Sequence, residues 1–137
     1  GDELNVIQPG QNYGWPVVGH GVNYGPGTPI HETLSQEGMV DPIHYWVPSI
    51  ATSGLMIYNG SQFPRWNGSV FSGALRGEQV ARITLSPDGS AAVTEETLVP
   101  GIGRVRDIRQ GPDGYIYLAI EDRSRQPTAI VRLEPAN

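Results

Sequence analysis

The stretch Gln79-Val80-Ala81-Arg82-Ile83-Thr84-Leu85-Ser86-Pro87-Asp88-Gly89-Ser90-Ala91-Ala92-Val93-Thr94-Glu95-Glu96-Thr97-Leu98 decides the fold class. Two runs rich in Val, Ile, Thr and Ala are separated by Pro-Asp-Gly. Proline presets the φ of a tight turn and glycine accepts a positive φ, so this link reads as the connection of an antiparallel strand pair. Ile50–Tyr58 and Ser69–Ala74 precede it with the same texture, and Asn59-Gly60, Asn67-Gly68 and Arg76-Gly77 supply further turn signals. Beyond it come Val105–Gln110, the turn Pro112-Asp113-Gly114, Tyr115–Ile120 and Ala129–Leu133, with Pro135 closing the pattern. Four strands followed by three, in successive units of roughly forty to fifty residues, have the spacing of β-propeller blades. The expected fold class is all-β, a partial propeller of about two blades whose last blade lacks its closing strand.

The stretch before Trp46 differs. Residues 1–46 are dominated by Gly, Pro, Asn and aromatic residues, and no window keeps apolar residues at helical spacing. The expectation is a long structured loop region, with 47–102 as a four-stranded blade and 103–137 as three strands of the next. Loops of this length are usually functional or held by something outside the backbone, such as a metal. Trp46, Trp66 and Phe71 read as blade-packing residues. Asn59-Gly60-Ser61 and Asn67-Gly68-Ser69 match the glycosylation acceptor pattern, but Asn-Gly is also a favoured hairpin turn, which is the reading preferred here.

Composition agrees with a turn-rich chain: 18 Gly and 12 Pro in 137 residues argue against long helices. At 38% hydrophobic and 17% charged residues, the sequence has neither a membrane span nor the composition of a disordered chain. The net charge of −5, with Arg as the sole strong cation, makes nucleic acid a poor partner. Small molecules or cations fit better. The absence of Cys removes thiolate catalysis, disulfides and Cys-based metal sites. Opening at Gly1-Asp2-Glu3-Leu4-Asn5, without Met or an export signal, the sequence reads as starting mid-protein.

Two constellations carry chemistry. Asp2 and Glu3, followed by the ring-bearing loop to Trp15, could offer carboxylates and turned carbonyls to a hard cation, which takes about six to eight oxygens. A solvated acidic surface is the other reading. In Gly103-Arg104-Val105-Arg106-Asp107, residues two apart on a strand share a face, so Arg104 and Arg106 set two guanidinium groups side by side. That arrangement requires an anion. Either a polycarboxylate ligand or a structural partner such as Asp107, Glu121 or Asp122 can provide it. The three histidines, His20, His31 and His44, have no metal spacing and none is assigned a catalytic role.

Taken in order, Gly1-Asp2-Glu3-Leu4-Asn5-Val6-Ile7, Gly10-Gln11-Asn12-Tyr13-Gly14-Trp15-Pro16, Trp46-Val47-Pro48-Ser49-Ile50-Ala51, Phe71-Ser72-Gly73-Ala74-Leu75 and Gly103-Arg104-Val105-Arg106-Asp107-Ile108-Arg109-Gln110-Gly111-Pro112-Asp113-Gly114 resemble the C-terminal part of the glucose/sorbosone dehydrogenase family. Its members are soluble aldose sugar dehydrogenases that use pyrroloquinoline quinone (PQQ) on a six-bladed propeller. The resemblance implies a calcium loop with Glu3 as carboxylate ligand, Tyr13 as carbonyl ligand and Asp2 as a further contributor. It also implies that Arg104 and Arg106 contact the cofactor. Arg76 stands where some members carry a cofactor-contacting Lys.

Further implications concern the longer protein. The family's catalytic base is a His in an earlier blade, so no catalytic residue is expected within this chain, which alone would be inactive. The implied reaction is oxidation of an aldose at its anomeric carbon to the lactone, with an external electron acceptor. An N-terminal remainder of the propeller, or an associated chain, would complete it. A periplasmic or extracellular location is implied. Two other classes stay open: a non-catalytic propeller module binding carbohydrate or protein, and a calcium-dependent lactonase-like hydrolase.

Overall fold

The computed structural model of the chain describes residues 1–122, 124 and 128–136. Nine strands are present among them: β1 (Asp2–Leu4), β2 (His44–Trp46), β3 (Thr52–Ile57), β4 (Val70–Ala74), β5 (Val80–Leu85), β6 (Ala92–Leu98), β7 (Arg104–Gln110), β8 (Ile116–Glu121) and β9 (Ala129–Leu133). The all-β class is as expected. Two compact units divide the chain, Gly1–Ile50 and Ala51–Asn137.

The first unit is not wholly loop. β1 and β2 pair antiparallel, with Glu3 opposite Tyr45, and so tie the two ends of the segment together. Between them the chain is held by side chains suited to turns. The Tyr13 hydroxyl donates to the Val6 carbonyl at 2.9 Å and accepts from the Gln8 amide at 2.6 Å. The Asn12 side chain accepts from the Gly14 amide at 2.8 Å, a turn that Asn builds readily. Gly14 has φ +96°, and a Cβ there would lie 2.1 Å from Val18 Cγ2, so both backbone and packing require glycine. Trp46, expected in a blade, is buried in this unit, edge-on to His44.

The second unit contains a four-stranded antiparallel sheet in the order β3-β4-β5-β6 and a three-stranded one in the order β7-β8-β9. β4 is buried along its whole length, as a central strand of small and aromatic residues should be, whereas β6 is largely exposed and carries Glu95 and Glu96 along the sheet edge. β8 alternates cleanly, sending Ile116, Leu118 and Ile120 inward. These meet Phe71, Val80, Val105 and Ile108 in one core. The buried Tyr58 hydroxyl donates to the Gly114 carbonyl at 2.7 Å and accepts from the Phe63 amide at 3.1 Å, so one polar tip is satisfied inside that core and joins the two sheets.

Asn59-Gly60 does not form a two-residue hairpin turn. Both Asn-Gly pairs fall in the single connection between β3 and β4, which contains a short 3-10 helix, Pro64–Trp66. The reason is packing. Trp66 stacks on Phe63, with ring centroids 4.4 Å apart, and both rings cover Tyr58 and Phe71, which requires a longer excursion than a hairpin allows. Gly68, at φ +79°, then returns the chain to β4. Pro87-Asp88-Gly89 and Pro112-Asp113-Gly114 do lie in strand-to-strand connections, β5 to β6 and β7 to β8.

Candidate cofactor and metal sites

Strand β7 starts the second sheet and packs against β3 and β4. Its contact with β3 is made possible by the absence of a side chain: a Cβ at Gly54 would lie 2.2 Å from Asp107 Oδ1 and 2.7 Å from the Ile108 amide nitrogen. The Ser53 hydroxyl donates to the Val105 carbonyl at 2.6 Å on the same contact. The first turn of residues in β7 is therefore fixed in place by its neighbour.

Simple alternation does not hold along β7. Pairing passes from Val105 opposite Ile120 to Asp107 opposite Ala119, leaving Arg106 as the extra residue of a β-bulge. Val105 and Ile108 both face the core as a result, and Arg106 and Asp107 lie away from it. The two guanidinium groups nevertheless come together. Arg106 Nη2 pairs with Glu121 Oε2, and Arg104 Nε reaches the same oxygen at 3.3 Å. Of the three acids that sequence offered as partners, Glu121 is the one used. Asp107 instead accepts from Arg109 Nε at 3.0 Å and from the Ile108 amide at 2.9 Å.

Partial burial pushes the Glu121 carboxyl up, but hydrogen bonding and charge from Arg106, then from Arg104, outweigh it and hold the group below the usual carboxylate range. The pair thus has an internal carboxylate in its grasp. Side-chain exposures of 28% for Arg104 and 49% for Arg106 leave both accessible to a second anion. Their donor set fits a carboxylate-bearing group such as PQQ, because each guanidinium retains N–H donors beyond those on Glu121. Arg76 is exposed in the connection between β4 and β5.

In the first unit, Glu3 and Tyr13 line one recess of about 250 Å³, together with Gly1, Trp15, His20 and His31. Asp2 does not line it: successive residues of a strand point to opposite sides, and Asp2 Oδ2 accepts from the Ser49 hydroxyl at 2.8 Å. Each histidine lies against an aromatic ring. His20 stacks on Tyr45 at 3.8 Å, His31 meets Trp15 edge-on at 5.2 Å, and His44 meets Trp46 at 4.6 Å.

Among the described residues, no three His, Asp or Glu side chains assemble as a metal cluster. Calcium is built differently, from mixed carboxylate, amide and carbonyl oxygens. Here Asn5 Oδ1 is buried and accepts no hydrogen bond, an unsatisfied state that ordinarily carries a penalty. Asn5 lies just past the end of β1, two residues beyond Glu3, and is not among the residues that line the recess. The Glu3 carboxylate, the Asn5 amide oxygen and the carbonyls of this loop are donors of the hard-oxygen type that calcium takes. Sequence reading does not single out Asn5, whose unpartnered oxygen is visible only in the fold.

The family model for glucose/sorbosone dehydrogenases matches residues 1–132. The chain belongs to the glucose/sorbosone dehydrogenase family. The chain is similar to an uncharacterized protein of Synechocystis, 43% identical over 98% of this chain and 31% of that protein. The aldose sugar dehydrogenase YliI of Escherichia coli is 37% identical over the whole of this chain and 36% of its own length. A crystal structure of a glucose dehydrogenase superposes with a TM-score of 0.86 at 39% identity, over 99% of this chain and 38% of that one. The PQQ-bound form of an aldose sugar dehydrogenase from Streptomyces coelicolor gives a TM-score of 0.67 at 30% identity, over 97% and 36%. This family member therefore spans about a third of the length of the relatives it matches. Among the described residues, no helix is long and apolar enough to cross a membrane.

Proposed function

We propose that the chain is the C-terminal portion of a PQQ-dependent aldose sugar dehydrogenase, a section of a six-bladed propeller. The observation that carries this reading is that Arg104 and Arg106 come together at the start of β7 and, while both engage Glu121, remain 28% and 49% exposed. Two guanidinium groups fixed within reach of one oxygen, on a strand pinned through Gly54, form a rigid receptor for a planar polycarboxylate. The PQQ-bound Streptomyces coelicolor relative supports the choice of ligand.

When bound, PQQ supplies the electron-accepting quinone for oxidation of the sugar's anomeric carbon to a lactone. Arg104 and Arg106 bind and orient it through its carboxylates, and their positive charge favours negative charge developing on neighbouring oxygens. Arg76 is a further contact from the connection between β4 and β5. Glu3 and the Tyr13 carbonyl would hold a structural calcium ion, with Asn5 as a further oxygen donor, and Asp2 supports β1 through Ser49. The proton-abstracting His is assigned to the part of the longer protein outside residues 1–137. This chain alone does not turn over sugar, and the N-terminal remainder of the propeller completes the site. The working location is the periplasm or the cell exterior, with an external electron acceptor.

The test is a PQQ titration of the chain joined to its N-terminal remainder, in calcium. A stable quinone absorbance that the paired variant Arg104→Gln, Arg106→Gln weakens at least tenfold supports the reading. A silent spectrum favours a non-catalytic carbohydrate- or protein-binding module. Gluconolactone hydrolysis with no electron acceptor present favours a lactonase. Sugar-dependent dye reduction by the 137-residue chain alone would overturn its assignment as inactive.

A further inference from the structure

The tripeptide Asn-Gly-Ser occurs twice, at 59–61 and at 67–69, both times in the connection between β3 and β4. By sequence alone the two copies are equally reactive. Asparagine is a chemically labile residue, and a following glycine, with no Cβ to obstruct the approach, lets its backbone nitrogen reach the side-chain amide carbon. Both asparagines are exposed. What separates them is the hydrogen bonding of the backbone that follows each.

The Gly68 amide donates to the Tyr58 carbonyl at 2.8 Å, and the Ser69 amide donates to the Trp66 carbonyl at 2.9 Å. The nitrogen that would attack Asn67 is therefore held in a closed turn with its proton engaged. At the other copy, the Asn59 amide donates to Gln110 Oε1 at 2.9 Å, a bond to a side chain. Among the described residues, the amides of Gly60, Ser61 and Gln62 donate to no acceptor. Three successive N–H groups are left to water. The Gly60 nitrogen can give up its proton as it stands, whereas the Gly68 nitrogen must first be released by local opening.

We propose that Asn59 is a site of spontaneous deamidation in the folded chain and that Asn67 is protected from it. The Gly60 nitrogen attacks Cγ of Asn59 and loses its proton, a five-membered succinimide closes, and the side-chain amide group leaves as ammonia. Water then adds to one of the two ring carbonyls. Opening on one side gives aspartate; opening on the other gives isoaspartate, whose main chain runs through Cβ and is longer by one methylene. The surroundings have little room for that extension. A Cβ on Gly60 would already lie 2.5 Å from the Tyr58 hydroxyl oxygen and 2.8 Å from the Gly114 carbonyl oxygen. The hydrogen bond between those two groups joins the sheets, so isoaspartate at position 59 loosens their junction.

The test incubates the chain, joined to its N-terminal remainder, in mildly alkaline buffer at physiological temperature. Tryptic cleavage after Arg65 puts the two asparagines in separate peptides, and mass spectrometry with electron-transfer fragmentation tells isoaspartate from aspartate. Asn59 should convert at least about fivefold faster than Asn67, the effect of one net backbone hydrogen bond. In urea, with the fold lost, the two should convert at closely similar rates. The proposal is overturned if they convert alike in the folded protein, or if Asn59 is stable there and converts only in urea. Aged protein should also melt below fresh protein, and Asn59→Gln aged in parallel should lose less, because glutamine closes the corresponding ring far more slowly. An equal loss in both, or none in either, overturns the loosening of the sheet junction.

Discussion

Arg106 closes directly on Glu121 where the start of β7 faces the end of β8, and Arg104 reaches the same carboxylate oxygen at 3.3 Å. Glu121 therefore occupies the pair as an incoming carboxylate would. Glu121→Gln leaves two neighbouring cations without their internal anion. Its affinity for citrate, a simple polycarboxylate probe, is expected to rise several-fold in isothermal titration at low salt and to fall back as ionic strength grows. An unchanged affinity would show that the pair is not a receptor for anions.

The same contact sets a pH dependence. The ordinary Glu midpoint is 4.5, and Glu121 lies below it in the folded chain, with burial opposing and the two arginines prevailing. A depressed folded value means that the ion pair's contribution to stability is complete above the unfolded midpoint and is lost as the pH falls through the folded one. Carbon-13 NMR of Glu121 is expected to show titration below pH 4.5 in the native chain, moving upward in the variant Arg104→Gln, Arg106→Gln.

Gly54→Ala tests how β7 is positioned. The added Cβ meets the Ile108 backbone nitrogen at 2.7 Å as well as the Asp107 carboxylate at 2.2 Å, and backbone does not step aside cheaply. Overpacking of this kind costs about 1–3 kcal/mol. Chemical denaturation should register that loss, and citrate binding should weaken although neither arginine has been touched.

Calcium should stabilise the first unit through Glu3 and Asn5. With the ion at about a hundred times its dissociation constant, the expected gain is about 2.7 kcal/mol, read as a rise in melting temperature that a chelator reverses. Glu3→Gln should remove most of the shift and Asn5→Leu part of it. Asp2→Asn should retain it, because Asp2 points toward Ser49 instead of the Glu3 recess.

Much of the architecture was readable in advance because strands announce themselves locally. β5, β6, β8 and β9 are β-branched or alternating runs bounded by Pro, Gly and Asp, and each falls within a residue or two of its expected position. The connection from β3 to β4 was not readable. Asn59-Gly60 is a hairpin signal, but burying Phe63 and Trp66 against Tyr58 and Phe71 favours a longer path, and no nearest-neighbour rule contains that contact.

The sites divide in the same way. Sequence by itself determined which residues have suitable chemistry: an arginine pair two positions apart, and an acidic start followed by a turn-rich loop. Both follow from residue type and spacing, which are local. The tertiary structure decided where those groups point. A bulge at Arg106, the close approach at Gly54 and the reach of Glu121 from β8 bring the two guanidiniums onto one oxygen, and strand pairing with β2 turns Glu3 into the recess and Asp2 away from it. Such outcomes depend on atoms far apart along the chain, whose steric and electrostatic coupling exists only once the strands have packed.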